Sequence, residues 1–147
     1  MGLIKRGEKI DFLKGLINNQ IVRVISAMLA VLLLAYLVMF LDTNSLYREV
    51  RDVFLWKVDR AETEGRPINA YNMSYRFPDE ELGGVNLELV RLFTLHNFKD
   101  GYIWALYSKE AYNKDGKIIN GSIGIFTKWK IHKENGEWEI VEIFEAP

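Results

Sequence analysis

GSIGIFTKWKIHKENGEWEIVEIFEAP (residues 121–147) is the stretch that decides the fold. Asn135-Gly136 lies at its middle, and this pair suits the two left-handed positions of a tight hairpin turn. A turn there sets Glu134 against Glu137, Lys133 against Trp138, His132 against Glu139 and Ile131 against Ile140. Carried on at the same register, Lys130 meets Val141, Trp129 meets Glu142, Lys128 meets Ile143 and Thr127 meets Phe144. One face of this hairpin is mostly apolar and the other mixed, as in a sheet covered on one side. The last arm has apolar residues on both faces, which predicts strong curvature or a bulge.

Working back toward the N-terminus, the strand pattern continues. Residues 87–98 are rich in Leu, Val, Phe and Thr, and Lys99-Asp100-Gly101 reads as a turn with glycine available for positive φ. Residues 102–112 form the second arm. Asn113-Lys114-Asp115-Gly116 is another turn, and Ile118-Ile119 leads through Gly121 into 123–133. Residues 66–86 are punctuated by Pro67, Pro78 and Gly83-Gly84. Within them 70–77 reads as a short strand or coil, and Pro78 suits the start of a helical turn. Residues 45–64 place Leu46, Val50, Val53, Phe54 and the Lys57 stem at 3/4 spacing. They predict an amphipathic helix of about five turns, with Asp42, Thr43 and Asn44 as N-cap residues. Its stripe needs a partner, and the sheet supplies one.

VISAMLAVLLLAYLVMFL (residues 24–41) has no charge and no proline, and Arg23 and Asp42 bound it. As an α-helix it would be roughly 27 Å long, the thickness of a bilayer core. Its Leu, Ile, Val and Phe residues favour insertion by roughly 3 to 7 kcal/mol. A cleaved signal peptide fits less well, because the run is longer than a signal's apolar stretch and ends Met39-Phe40-Leu41-Asp42 without a small-residue pair. A buried core helix would keep a polar stripe, and none is present. The expectation is an uncleaved transmembrane helix over 21–41 in the cell membrane, with the lipid bilayer as a partner. Lys5, Arg6, Lys9, Lys14 and Arg23 precede the run, whereas the first basic residues after it are Arg48 and Arg51. The positive-inside rule then puts residues 1–20 in the cytoplasm as a basic tail and 42–147 outside. The apolar residues among those lysines fit either an amphipathic helix on the inner leaflet, broken from the span at Asn18-Asn19, or a solvated tail.

The 147 residues carry a net charge of −1, positive before Asp42 and acidic after it. Without a Lys/Arg cluster the chain is a poor nucleic-acid binder. There is no cysteine, which excludes lipid anchoring at a lipobox, disulfides and thiolate metal sites. Residues 42–147 suffice for one domain with one core.

One helix followed by a meander of long antiparallel strands resembles the α+β cone of NTF2-like (cystatin-like) domains. HNFKDGYIWALYSKEAYNKDG resembles the paired long strands of that fold, and W-x-I-x-K-x-x-G-x-W-x-I-V its closing hairpin. The resemblance covers about residues 45–147. A short cytoplasmic tail, one membrane helix and such a domain outside is similar to the VirB8-like and TcpC-like parts of conjugation and type IV secretion machines. It implies a scaffold that self-associates or binds other envelope proteins. The chain departs from the fuller pattern in having one clear helix before the sheet, which argues against a deep ligand pocket.

No motif fixes a catalytic carboxylate. Tyr102, Tyr107, Tyr112 and Glu110 lie on the sheet, but cone chemistry needs a buried acid beside a tyrosine. His96 and His132 lack neighbours at metal-ligand spacing, and each reads as structural or superficial. No enzyme activity, cofactor or metal is expected. Trp104, Phe126, Trp129, Trp138 and Phe144 are the candidate interface or pocket residues, with core packing as the plain alternative. Lys128, Lys130 and Lys133 read as a stripe paired across strands with Glu134, Glu137, Glu139 and Glu142. Asn72-Met73-Ser74 and Asn120-Gly121-Ser122 match glycosylation triplets that carry no meaning in a bacterial chain. The leading expectation is a non-enzymatic membrane-anchored scaffold. The alternative is a membrane-tethered binder of a small apolar ligand in the cone.

Overall fold

The computed structural model describes residues 6–72 and 82–145. The protein is α+β, with an N-terminal apolar helix followed by a four-stranded antiparallel sheet in the order β1-β2-β3-β4. The chain divides into two compact units, Met1–Val38 and Met39–Pro147.

The first unit is helix α1, Arg6–Asp42, whose last turn belongs to the second unit. Its segment Asn19–Asp42 has a mean hydropathy of 2.8 and is long and apolar enough to cross a membrane. Leu and Val side chains are exposed all along it. The expected break at Asn18-Asn19 does not occur. Two asparagines cost a helix only tenths of a kcal/mol each, too little to interrupt good helix formers on both sides.

The second unit opens with α2, Asn44–Phe54. Leu46, Val50, Val53 and Phe54 are buried, as their spacing predicts. The helix is shorter than expected. It stops at Leu55, Trp56 turns the chain at φ 57°, and Lys57 is exposed. Val58, four residues after Phe54, still packs against the core, but it does so from outside the helix. The chain resumes as the single turn α3, Arg60–Thr63, capped by Asp59 Oδ1, which accepts from the Ala61 N–H at 3.2 Å. A 3-10 turn, Pro67–Tyr71, follows. Thr43 does not cap α2 through its side chain. Its hydroxyl instead donates backward to Met39 O and Phe40 O, each at 3.3 Å. The expected helical turn from Pro78, and all but Ala70–Asn72 of the strand or coil at 70–77, lie outside the described residues.

The strands are β1 Leu82–His96, β2 Asp100–Asn113, β3 Ile118–Glu134 and β4 Glu137–Glu145. Among the described residues, each pairs with its neighbours in sequence. Asn135 and Gly136 take φ of 52° and 88°, the tight turn their pairing predicts. From Glu134/Glu137 to Ile131/Ile140 the register is as expected. Beyond it the strand slips by one at Val141, so that Lys130 faces Glu142, Trp129 faces Ile143, Lys128 faces Phe144 and Thr127 faces Glu145. This is the bulge that the two-faced apolar pattern calls for, and it turns Ile143 toward the core and Phe144 away from it. A second irregularity sits at Ile123-Gly124, where Gly124 has φ 65° and Ile123 is 82% exposed.

The β1–β2 turn differs from its sequence reading. The left-handed residue is Phe98, not a glycine. Gly101 serves another purpose, because a Cβ there would stand 2.3 Å from His96 Cβ and 2.4 Å from Leu95 O. Its backbone is pressed against the start of the turn, and only glycine fits.

The core lies between α2, the 3-10 turn and one face of the sheet. Ile103, Ala105 and Tyr107 of β2, Trp129 and Ile131 of β3, and Trp138 and Ile140 of β4 meet Phe54, Ile68 and Tyr71 there. Phe54 stacks on Tyr71 with centroids 4.3 Å apart.

Candidate functional site

Alternation along β2 sorts the aromatic residues onto two faces. Odd-numbered residues from Ile103 to Ala111 point into the core, whereas Tyr102, Trp104 and Leu106 point the other way. The register carries this division across the sheet. Trp104 lies between Phe93 of β1 and Lys128 of β3, and Leu106 between Val90 and Phe126. Lys128 in turn faces Phe144.

The five aromatic candidates therefore separate. Trp129 and Trp138 are core residues, 0% and 4% exposed. Trp104, Phe126 and Phe144 share the outer face, the last two 43% and 39% exposed. Phe93, Leu95, Tyr102 and Leu106 extend this face; of these the sequence pointed to Tyr102 alone, and for acid–base chemistry rather than for a surface. The pairing registers of β1 and β2 were the signal that could have found them. Trp104 packs against Phe93 at 5.7 Å and against Tyr102 at 5.8 Å, both tilted. Lys128 stands over Phe144 at 4.3 Å and over Tyr102 at 5.2 Å. Each such contact is worth about 0.5–1 kcal/mol at an exposed site. The result is an apolar face crossing all four strands, with Lys130 and Glu142 on its border at 4.0 Å.

The lysine stripe does not behave as one unit. Lys128 sits over rings, Lys130 pairs with Glu142, and Lys133 turns to the core side, where its Nζ donates to Asp42 Oδ1 at 2.9 Å. Trp138 Nε1 donates to the other oxygen of the same carboxylate at 2.8 Å. These bonds belong to a polar cluster around the last turn of α1. Arg91 Nη1 donates to Phe40 O at 3.0 Å and to Thr43 Oγ1 at 3.1 Å, and its guanidinium lies 3.3 Å from the Phe40 ring centroid. The C-terminal carbonyls of a helix lack intrahelical partners, and here the sheet supplies donors for them.

His96 belongs to this cluster. The Phe98 N–H donates to His96 Nδ1 at 3.1 Å, so Nδ1 is the unprotonated nitrogen. Nε2 then carries the hydrogen and donates to Met39 O at 3.0 Å. His132 faces Glu139 in register, but its Nδ1 bonds Asp100 Oδ1 at 2.7 Å instead. Among the described residues no group of three His, Asp or Glu side chains converges as metal ligands would.

On the core side Tyr71 is only 2% exposed. Burial pushes its phenol well above the ordinary tyrosine range, against the effect of its bonds to Thr127 and Trp129. Tyr107 donates to Glu145 Oε1 at 3.0 Å, which places Glu145 at the margin of the core. Two surface hollows lie on the described residues of the sheet unit, apart from an apolar one along α1 at Ala27, Met28, Val31 and Leu32. One, of about 350 Å³, is lined by Asn86, Glu88, Ser108, Glu110 and Ser122. The other, of about 470 Å³, lies between α2 and the last hairpin and holds Glu49, Arg66, Glu137, Trp138 and Glu139. The first has polar and apolar walls in nearly equal share, with Ile123 and Lys109 completing it, and the second is the more polar of the two.

Comparison with protein-family models, with curated proteins and with solved structures gives no match for this chain.

Proposed function

We propose that the protein is a non-enzymatic, membrane-anchored interaction module of a bacterial envelope assembly, such as a conjugation or type IV secretion machine. In this reading α1 spans the cell membrane with its N-terminus in the cytoplasm, and the sheet unit works outside, against a second copy or another envelope protein. The single observation that carries it is the outer face of the sheet. Phe93, Leu95, Leu106, Phe126 and Phe144 are each 38–50% exposed there while the opposite face has a complete core. A contiguous apolar face of this kind marks an association surface. The NTF2-like resemblance agrees with it, since that fold serves as a scaffold in similar architectures.

The test is self-association of the full chain in mild detergent, measured by light scattering with and without Leu106→Glu and Phe126→Glu. The expected result is an oligomer that the double variant reduces to monomer while the circular dichroism stays unchanged. A strictly monomeric chain that also cross-links to no envelope protein from a photoreactive residue at position 126 in cells would sink the proposal. The side of the membrane is read separately, from a cysteine placed at Asn113 and a membrane-impermeant reagent. Labelling in intact cells is expected, and labelling only after lysis would reverse the orientation.

A further inference from the structure

We infer that the β1–β2 turn, residues 97–100, is a lipid-contacting surface that seats the Phe98 ring in the interfacial layer of the bilayer. The inference rests on reading α1 as a membrane anchor, and it adds a second point of contact that belongs to the sheet unit itself.

The first observation is the residue at the tip. Phe98 has φ 67° and is 56% exposed. A left-handed conformation is strained for a bulky residue, and a ring in water adds to that cost. Glycine or asparagine would relieve both. The rest of the turn is well made. Asn97 Oδ1 accepts from the Lys99 and Asp100 N–H groups at 3.0 and 2.8 Å. The strain is thus confined to one residue and presents one aromatic ring at the tip.

The second observation is where the tip is tied. Phe98 lies edge-on to His96 at 5.1 Å and donates its N–H to that ring, and His96 donates to Met39 O. Met39 lies within the apolar run, and the run's last residues, 39–41, are part of the same compact unit as the turn. Leu41, at the end of that run, is 59% exposed. A single imidazole therefore separates the turn from backbone that a spanning helix would leave at the bilayer boundary. Aromatic rings favour that boundary, and Lys99 beside Phe98 can extend its charge to the headgroups. Phe98 is thus held, through His96, to backbone of the run's own last turn, and on the anchor reading that boundary is lipid.

The chain has no cysteine, so single introduced cysteines report cleanly. Leu32→Cys, Lys99→Cys and Asp115→Cys are each labelled with a nitroxide in the full chain. The protein is reconstituted in vesicles of mixed phosphatidylcholine and phosphatidylglycerol, and depth is read from relative accessibility to oxygen and to a water-soluble nickel chelate. Asp115 lies in the turn at the far end of β2, about 40 Å along a strand of this length. The expected result is a Leu32 label in the hydrocarbon core, a Lys99 label at headgroup depth and an Asp115 label in water. Adding Phe98→Asn, which suits the left-handed turn and so leaves it folded, raises nickel accessibility at position 99 by about threefold or more. A deep Leu32 label beside a Lys99 label as wet as that at Asp115, or no response to Phe98→Asn, overturns the lipid contact and leaves the anchor standing. A Leu32 label in water overturns the anchor, and the lipid contact with it.

Discussion

Trp129 donates its indole N–H to the hydroxyl of Tyr71 over 2.8 Å, and that hydroxyl lies 2.9 Å from Thr127 Oγ1. Both rings are almost fully buried. The bond ties a residue of the 3-10 turn to the third strand across the middle of the core. Removing the oxygen by Tyr71→Phe leaves the indole donor without its acceptor. We expect a loss of about 1–3 kcal/mol, measured by denaturant unfolding of the sheet unit in detergent.

The same phenol predicts an alkaline limit. Its proton is held more tightly in the folded chain than in the unfolded one. Its contribution to stability is therefore complete below the unfolded tyrosine value of about 10 and falls as pH rises above it. Ultraviolet titration should show the Tyr71 phenolate appearing only with unfolding. Ionisation of this residue in a chain that keeps its native circular dichroism would contradict the assignment.

Gly101→Ala should be among the most damaging single changes, because the new methyl group meets His96 Cβ and Leu95 O well inside contact distance. Backbone on both sides has to move. A loss of about 3 kcal/mol or more is expected by thermal melting. Gly121→Ala, where the added carbon meets nothing within 4 Å, is the control that should stay near wild type.

The two sheet faces should separate in one pair of variants. Trp129→Ala empties a fully buried site and should cost about 3–5 kcal/mol. Trp104→Ser removes a half-buried ring from the outer face and should cost far less stability. On the proposed reading it weakens association instead, which cross-linking yield would report.

Asp42→Asn should loosen the last turn of α1. The carboxylate accepts from Lys133 Nζ and Trp138 Nε1, and the ammonium loses its counter-charge in a partly buried place. A loss of about 1–3 kcal/mol is expected, and Lys133→Met combined with it should cost less than the two changes summed.

Much of this arrangement is legible in the residues themselves. Asn135-Gly136 set the final turn, and apolar residues on both sides of the last strand required the bulge found at Val141. Leu46, Val50, Val53 and Phe54 named the buried stripe of α2. Other features depended on distant partners. Nothing local in Trp56 says that α2 ends before it. Nothing in Gly101 distinguishes a glycine needed for φ from one needed for closeness to His96. The separation of Trp104 from Trp129 and Trp138 follows from the registers that β2 keeps with β1 and β3. Those registers were not written into any turn signal as plain as Asn-Gly. The cluster around Asp42 joins residues more than 90 positions apart, beyond the reach of any local pattern.

The order of the strands has a kinetic consequence. Every pairing in the sheet joins neighbours along the chain, so each hairpin closes a short loop and the meander can zip up quickly. The helix that covers it comes before all four strands, and Trp138 and Ile140 of the last strand are among the residues that seal its stripe. During synthesis α2 must therefore wait, apolar side exposed beside an already apolar run, until the final hairpin has emerged. That interval is expected to be the vulnerable one in making this protein, and its length follows from the distance along the chain from Leu46 to Ile140.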